Sequence, residues 1–378
     1  MRDYIDIGIG REARRTYHLR DVSVLPARRT RSSKDVDTTW HIDAYTFDFP
    51  IVTEPTDPIG SPDFIIEMGK QGGLGVLNAE GILARHEDYQ AAIDTLIKGW
   101  DENEDDLTEL QKLHAAPIQE ELLVRRIKEI RESGVTVAVR VSPQRARELA
   151  PIVIKAGAEI LFIQGTIISA EHVASNGEPL NLKEFISSLE VPVIVGGVSD
   201  YSTALHMMRT GAAGVIVGST VEDYGLSLGI SPAMATAIAD VAAARRDYLD
   251  ETGGRYVHVL AASEMDHAGT MITALACGAD ALMIGSLAAN TAEAPGKGFY
   301  WPSVLAHPNF PRGSVQPRDA FAGEEPCELP SLQTVLHGNV TTVNFGTQNL
   351  VGAIRRAVAK CGYSDLKSFQ KVDLSVSM

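Results

Sequence analysis

Residues 191–219 read VPVIVGGVSDYSTALHMMRTGAAGVIVGS, and this stretch decides the fold. Two short aliphatic runs, 193–195 and 215–217, lie on either side of a segment with helical patterning at 203–209. Unbroken aliphatic runs separated by a helix are typical of parallel strands that are covered on both faces. The stretch therefore predicts a strand–helix–strand unit.

The end of this unit recurs downstream, because GADALMIGS at 278–286 repeats the glycine and aliphatic positions of GAAGVIVGS at 211–219. A repeated strand–helix unit indicates a repetitive α/β architecture. The predicted strands are 50–53, 74–77, 135–139, 160–163, 193–195, 215–217, 256–260 and 281–284, with helical patterning between them. This number predicts a (β/α)8 TIM barrel. The competing doubly wound sheet lacks its glycine fingerprint.

Composition narrows the class of protein. The chain has 378 residues, 44% of them hydrophobic, and a net charge of −15, which argues against a nucleic-acid surface. No apolar run approaches the roughly 20 residues of a membrane span, and no secretory signal precedes the first strand. Three widely spaced cysteines form neither a disulfide framework nor a metal site. We expect a cytoplasmic protein without a metal or a membrane partner.

Two segments stand outside the strand–helix repeat. Residues 1–48 form an N-terminal extension whose basic cluster is interpreted as solvated loop charges that balance an acidic body, rather than as a phosphate-binding arm. Residues 297–346 form a long irregular segment that is rich in proline and glycine. We predict one domain over 1–378. The members of the basic cluster are Arg11, Arg14, Arg15, Arg20, Arg28, Arg29, Arg31 and Lys34.

In a (β/α)8 barrel, functional residues lie at the carboxyl ends of the strands. Gly285–Ser286 and Gly218–Ser219 follow strands 8 and 6, where glycine permits close approach and serine and backbone amides face an anion. The alternative is a tight turn that ends in a helix cap, but two equivalent pairs favour a phosphorylated ligand. Catalytic candidates in the loops after strands 6 and 7 are Glu222, Asp223, Tyr224, Asp266 and His267. His258 and Cys277 are predicted to be structural.

The chain resembles the IMP dehydrogenase / GMP reductase family, and its actinobacterial IMP-dehydrogenase-related branch in particular. The motifs are the Gly-Gly turn at 196–197, Gly218, the Gly-Ser pair at 285–286 followed by EAPG at 293–296, and LVGAIR at 350–355. The resemblance implies a purine nucleoside monophosphate as ligand, NAD or NADP as cofactor and a homotetramer. It places the nucleotide at Thr53, Gly196, Gly197, Gly218, Ser219, Ser263, Gly285 and Ser286, and the cofactor at Gln164, Gly165 and Thr166.

The sequence also departs from the family pattern. The family's paired CBS domains are absent, and residues 219–232, STVEDYGLSLGISP, lack the cysteine that attacks the purine in that family. Gln164 replaces the aspartate that meets the cofactor, and Ala262-Ser263-Glu264 replaces Asp-Gly-Gly. Three hypotheses follow: an oxidoreductase that converts IMP to XMP with NAD in GMP biosynthesis, a nucleotide-binding relative with a regulatory role and no turnover, and another phosphate- or flavin-binding barrel.

Overall fold

A computed structural model describes residues 4–102, 107–166, 168, 180–219, 228–317, 328–338 and 346–376. Its central feature is a sheet of eight parallel strands. These are β1 Ile51–Thr53, β2 Val76–Asn78, β3 Ala138–Val141, β4 Ile160–Gln164, β5 Val193–Val198, β6 Gly214–Val217, β7 His258–Ala261 and β8 Ala281–Ile284. The sequence-predicted strand order is confirmed.

The sheet closes on itself. Strands pair in the order β1-β8-β7-β6-β5-β4-β3-β2. The two ends of this order meet through a parallel bridge between Val52 and Leu74. The Thr53 backbone N–H donates to the Leu74 carbonyl at 2.9 Å, and the Val76 N–H donates to the Thr53 hydroxyl oxygen at 3.0 Å. The protein is therefore a (β/α)8 barrel.

Side chains alternate strictly between the inside and the outside of the barrel, as the period of two in a strand requires. The inward side chains, which include Val52, Phe162 and Met283, form one buried cluster. The outward side chains, which include Val195 and Leu282, pack under the helices in a second and larger cluster. Because both faces of the strands are buried, the strands read as unbroken aliphatic runs in the sequence.

Helices cover the outside of the barrel. Their bounds are Pro62–Lys70, Tyr89–Glu102, Thr108–Ala115, Glu120–Glu132, Ala146–Ala156, Leu182–Ser187, Tyr201–Arg209, Met234–Thr252, Ala268–Cys277, Ser286–Ala289, Leu332–His337, Leu350–Lys360 and Leu366–Phe369. Side chains cap several of them, as at Asp200, whose carboxylate accepts the Ser202 and Thr203 N–H groups. No helix in the described parts of the chain is long and apolar enough to span a membrane.

Some predicted boundaries were wrong by two or three residues. Strand 3 was predicted over 135–139 but begins at Ala138, and strand 7 was predicted over 256–260 but begins at His258. The apolar residue Val135 causes the first error, because its side chain packs against the helix Pro62–Lys70 at Gly69 instead of pairing in the sheet. The predicted irregular segment 297–346 also contains a short helix, Leu332–His337.

The N-terminal extension contacts the body of the protein in several places. The hairpin Trp40–Ile42 with Tyr45–Phe47 joins the cluster of inward-facing side chains. Trp40 Nε1 donates to His258 Nδ1 at 3.3 Å, at the start of β7, so the hairpin closes the amino-terminal end of the barrel. The strand Val22–Val24 pairs with the C-terminal strand Leu374–Val376. Another hairpin, Tyr4–Gly8 with Arg11–Arg14, precedes both.

A buried charge network links β7 and β8 at the same end. Asp280 accepts hydrogen bonds from Arg245 Nη1 at 2.5 Å, from the Tyr256 hydroxyl at 2.6 Å and from the Val259 N–H at 2.9 Å. Burial alone would raise the pKa of Asp280, but the charge of Arg245 and these hydrogen bonds hold that pKa below its ordinary value. The network therefore carries a charged carboxylate at neutral pH.

Candidate ligand site at the mouth of the barrel

The carboxyl-terminal mouth of the barrel has two unlike halves. Alternation places polar side chains at the last inward positions of β1–β4, namely Glu54, Asn78, Arg140 and Gln164, all of them buried. The corresponding positions of β5–β8 hold small residues, namely Gly196, Gly218, Ala262 and Gly285. Open space at the mouth is therefore expected over the second half of the barrel.

The polar half is held by a hydrogen-bonded ion pair. Arg140 Nη1 lies 3.1 Å from Glu80 Oε2, and Arg140 Nη2 donates to the Gln164 carbonyl at 2.6 Å. Glu80 also accepts from the Ser142 backbone N–H at 2.7 Å and from its hydroxyl at 2.9 Å. Burial lowers the pKa of the Arg140 guanidinium, and the negative charges of Glu80 and Asp57 raise it in part. These contacts fix the ends of β3 and β4.

The main cavity lies over the small-residue half, at the ends of β5, β6 and β7. It has a volume of about 180 Å³. Residues from the predicted site that line it are Thr166, Gly197, Gly218, Ser219 and Ser263. Five residues from four separate places in the sequence thus border one cavity, at the end of the barrel where this fold places ligands.

Glycine is required where these strand ends meet. A Cβ on Gly197 would lie 2.0 Å from the Gly218 carbonyl oxygen, and a Cβ on Gly218 would lie 2.7 Å from the Ser263 hydroxyl oxygen. Gly218 also has a positive φ of 88°, which disfavours any other residue. The Ser263 hydroxyl donates to the Ser219 carbonyl and accepts from the Ser219 N–H at 3.0 Å, so it joins the ends of β6 and β7.

The turn after β8 is filled by the protein's own side chains. A Cβ on Gly285 would lie 2.6 Å from Glu54 Oε2 and 2.7 Å from Tyr300 Cε2. Tyr300 is 5% exposed, and its hydroxyl donates to Glu54 Oε2. A separate cavity beside this turn and Ser286 measures only about 30 Å³. These side chains leave little free space against Gly285, and the phosphate site at Gly285 and Ser286 stays a prediction.

Other predicted residues have structural partners or lie elsewhere. The Thr53 hydroxyl is fully buried in the seam between β1 and β2. His267 is the N-cap of the helix Ala268–Cys277, and Asp266 accepts from the Thr270 hydroxyl at 2.9 Å. Neither borders the main cavity, so a catalytic role for them finds no support in its lining. The candidates Glu222, Asp223 and Tyr224 lie outside the described residues.

The predicted cofactor residues at the end of β4 include a side chain with an unused hydrogen-bonding atom. Among the described residues, Gln164 Oε1 is buried without a hydrogen-bond partner, and so is Arg312 Nε. Arg312 Nη1 lies 3.5 Å from the Thr166 hydroxyl. Buried polar atoms are seldom left unpaired, so these atoms are candidates for contact with a ligand.

Several site residues escaped the sequence analysis. His18, Arg20 and Glu264 line the main cavity, and Glu54 with Tyr300 closes the β8 turn. Arg20 belongs to the basic cluster that we interpreted as solvated charge, and only its three-dimensional position distinguishes it from its neighbours. No group of three His, Cys, Asp or Glu residues in the described parts of the chain could hold a metal ion.

The closed barrel and the cavity over its glycine-rich strand ends define a (β/α)8 protein with a candidate ligand site at its carboxyl-terminal mouth. Comparison with known proteins then gives the family. Residues 16–377 match the family model of the IMP dehydrogenase / GMP reductase domain. This chain belongs to the IMP dehydrogenase / GMP reductase family, as its sequence motifs indicated.

The leprosy-bacillus relative and the crystal structure below cover nearly the whole chain, whereas the enzyme named after them matches only part of it. An uncharacterized oxidoreductase of Mycobacterium leprae is 55% identical over 383 residues, covering 99% of this chain and all of the relative. The crystal structure of an IMP dehydrogenase/GMP reductase-like protein from Corynebacterium glutamicum superposes with a TM-score of 0.94 at 59% identity, covering 99% and 98% of the two chains. An inosine-5'-monophosphate dehydrogenase of Haemophilus influenzae is 30% identical over 148 residues, which are 38% of this chain and 28% of that enzyme.

Proposed function

We propose that this protein binds a purine nucleoside monophosphate at the mouth of its barrel and oxidises or reduces the purine with a nicotinamide cofactor. The observation that carries the proposal is the convergence of Thr166, Gly197, Gly218, Ser219 and Ser263 on one cavity. A cavity of about 180 Å³ encloses only part of a nucleotide. We therefore place the phosphate and ribose in it, with the base directed towards the centre of the mouth.

The residues at the end of β4 fit a nicotinamide dinucleotide. The unpaired Gln164 Oε1 is an acceptor that suits the carboxamide N–H of a nicotinamide, and Arg312, beside Thr166, suits one of the dinucleotide's phosphates. Gly165 follows Gln164 and carries no side chain that would obstruct this approach.

In the family's dehydrogenase direction, IMP and water would give XMP, one proton and a hydride, and a nicotinamide cofactor held by Gln164, Gly165 and Thr166 would supply the hydride acceptor. The water oxygen forms a bond to purine C2, the C2–H bond breaks with its electron pair, and the proton leaves the attacking water. This chain would contribute binding and orientation through its glycine-rich strand ends. The Arg140–Glu80 pair keeps the polar half of the mouth rigid, which is what precise orientation requires.

A second candidate is a nucleotide-binding relative that regulates rather than catalyses. The absence of a cysteine from residues 219–232 favours it. The two described thiols lie at the ends of outer helices, and burial raises the pKa of Cys277 to about 12, so that thiol stays protonated. The third cysteine, Cys327, lies outside the described residues and is the thiol to test for covalent catalysis.

The experiment combines binding with turnover. IMP, GMP and XMP are titrated calorimetrically, and reduction of NAD with IMP and oxidation of NADPH with GMP are followed by absorbance. Binding with turnover supports the oxidoreductase, and loss of that turnover in Cys327→Ala would identify a thiol mechanism. Binding without turnover in either direction favours the regulatory candidate. If none of the three nucleotides binds, both candidates are wrong.

The resemblance also implies a homotetramer, which we propose here as well. Light scattering coupled to gel filtration tests it, because a tetramer of a 40.7 kDa chain is readily separated from a monomer or a dimer. A monomer at micromolar concentration would contradict this part of the proposal. The arrangement of one domain over 1–378, with extension 1–48, segment 297–346 and no CBS pair, likewise remains a prediction.

A further inference from the structure

The N-terminal hairpin, formed by the strands Tyr4–Gly8 and Arg11–Arg14, exposes an unusual amount of apolar surface. Ile5, Ile7 and Ile9 are 40%, 62% and 110% exposed. Among the described residues ten large apolar side chains are exposed, and four of them belong to this hairpin. Exposed apolar residues that are scattered singly need no explanation, whereas a contiguous group of them indicates a contact with another molecule.

The isoleucines face away from the body of the protein. Arg14, which lies opposite Tyr4 in the hairpin, pairs with Asp240 on the helix Met234–Thr252. Ile5 is the next residue along the strand, so its side chain points to the other face of the hairpin. The contact that holds the hairpin to the barrel therefore leaves its apolar face in solvent.

The hairpin is also an incomplete sheet. It consists of two strands, and in the described chain no third strand pairs with either of them. A free strand edge carries unpaired backbone N–H and C=O groups and is a template for a strand from another chain. A sheet of only two strands is marginally stable in water, and further strands stabilise it.

A second incomplete sheet lies at the C-terminal end of the chain. The strand Leu374–Val376 pairs with Val22–Val24 and with no other described strand, so its outer edge is free. Leu374 and Val376 are 41% and 43% exposed. This edge strand therefore offers the same combination as the hairpin, namely free backbone groups beside exposed apolar side chains.

The distribution of charge favours a second copy of this chain as the partner. The chain has 34 Lys and Arg and 49 Asp and Glu; residues 1–48 hold nine and eight of these, which leaves 25 and 41 in residues 49–378. Copies that meet through their acidic bodies repel each other. The hairpin lies in the near-neutral extension and the edge strand is paired to it, so a contact between these two surfaces avoids most of that repulsion.

We propose that the N-terminal hairpin of one copy binds the edge strand Leu374–Val376 of a second copy. The contact joins two sheets of two strands into one sheet of four, which pairs the free edges and covers the isoleucines. Each copy carries one hairpin and one edge strand, so the contact is head-to-tail and closes as a ring. This inference rests on the homotetramer proposed above and specifies the surfaces that build it.

Light scattering coupled to gel filtration, over a range of protein concentrations, measures the assembly of two variants. Ile7→Asp and Leu374→Asp should each raise the dissociation constant of the assembly by about tenfold or more, because each places a carboxylate in an apolar contact. Circular dichroism checks that both variants keep their fold. Phe310→Asp is the matched control, because Phe310 is 44% exposed but belongs to neither sheet, and this variant should assemble like the wild type.

Mixing the two variants tests the head-to-tail arrangement. Leu374→Asp keeps an intact hairpin and Ile7→Asp keeps an intact edge strand, so an equimolar mixture should form a two-chain complex that neither variant forms alone. A wild-type assembly that persists in either variant, or a mixture that forms no complex, would overturn the inference while the tetramer stands. A monomeric wild type would contradict the tetramer as well, and the IMP titration tests nucleotide binding independently of both.

Discussion

Replacing Gly285 by alanine tests how the turn after β8 is filled. The new methyl group would lie 2.6 Å from Glu54 Oε2 and 2.7 and 2.8 Å from two ring carbons of Tyr300. The glutamate carboxylate can rotate away, but the Tyr300 ring is 5% exposed and packed in the core. Inserting a methyl group into a well-packed site costs about 1–3 kcal/mol. We expect Gly285→Ala to destabilise the protein by that amount.

Calorimetric melting measures the effect. An unfolding entropy of about 2.1 cal/mol/K per residue gives roughly 0.8 kcal/mol/K for 378 residues, so the expected decrease in Tm is about 1–4 °C. The matched control is Gly99→Ala in the exposed face of the helix Tyr89–Glu102, where no heavy atom lies within 4 Å of the new Cβ. Alanine is the better helix former by about 1 kcal/mol, so the control should be neutral or stabilised.

A lower Tm for Gly285→Ala together with an unchanged or higher Tm for Gly99→Ala would support a closed turn after β8. A Gly285→Ala protein that melts at or above the wild-type temperature would refute the reasoning. It would mean that Tyr300 and Glu54 leave the turn open in solution. The phosphate could then bind where the family resemblance first placed it.

Other substitutions probe the fold and the site separately. Asp280→Asn leaves buried Arg245 without a counter-charge and should cost about 3–5 kcal/mol in urea unfolding, whereas Glu251→Gln, which breaks an exposed pair, should cost at most about 1 kcal/mol. The depressed pKa of Asp280 contributes stability at neutral pH that is lost as pH falls through its folded pKa, so Asp280→Asn should show a smaller loss of stability in acid. Cys277→Ala should leave nucleotide binding and any turnover within about twofold, because the thiol is protonated and remote from the cavity. Loss of turnover in Cys277→Ala would contradict this and indicate a thiol mechanism. Gly218→Ala should weaken nucleotide binding about tenfold or more, because Gly218 has a positive φ and its new Cβ would collide with Ser263 where the ends of β6 and β7 meet.

Local patterns in the sequence were sufficient to predict the barrel. Each strand is buried on both faces, so the aliphatic runs mark strands without reference to their neighbours. The repeat between 211–219 and 278–286 gave the strand–helix periodicity directly. The convergence of Gly197, Gly218 and Ser263 could also be predicted, because residues that directly follow neighbouring strands must meet once the barrel closes.

The remaining features depend on contacts between residues far apart in the chain. Glu54 and Tyr300 are separated by 246 positions, and no local pattern reveals that together they fill the space over Gly285. Glu264 and His18 are also separated by 246 positions, so the placement of Arg20 beside the cavity could not be read from the basic cluster. Sequence spacing identifies which residue ends a strand, whereas the side chain that covers that end comes from elsewhere in the fold.

A crystal structure of the protein soaked with IMP tests the central claim most directly. We predict density for the phosphate in the cavity over β5–β7 and an unchanged contact between Tyr300 and Glu54. Phosphate density over Gly285, with Tyr300 displaced, would contradict the account.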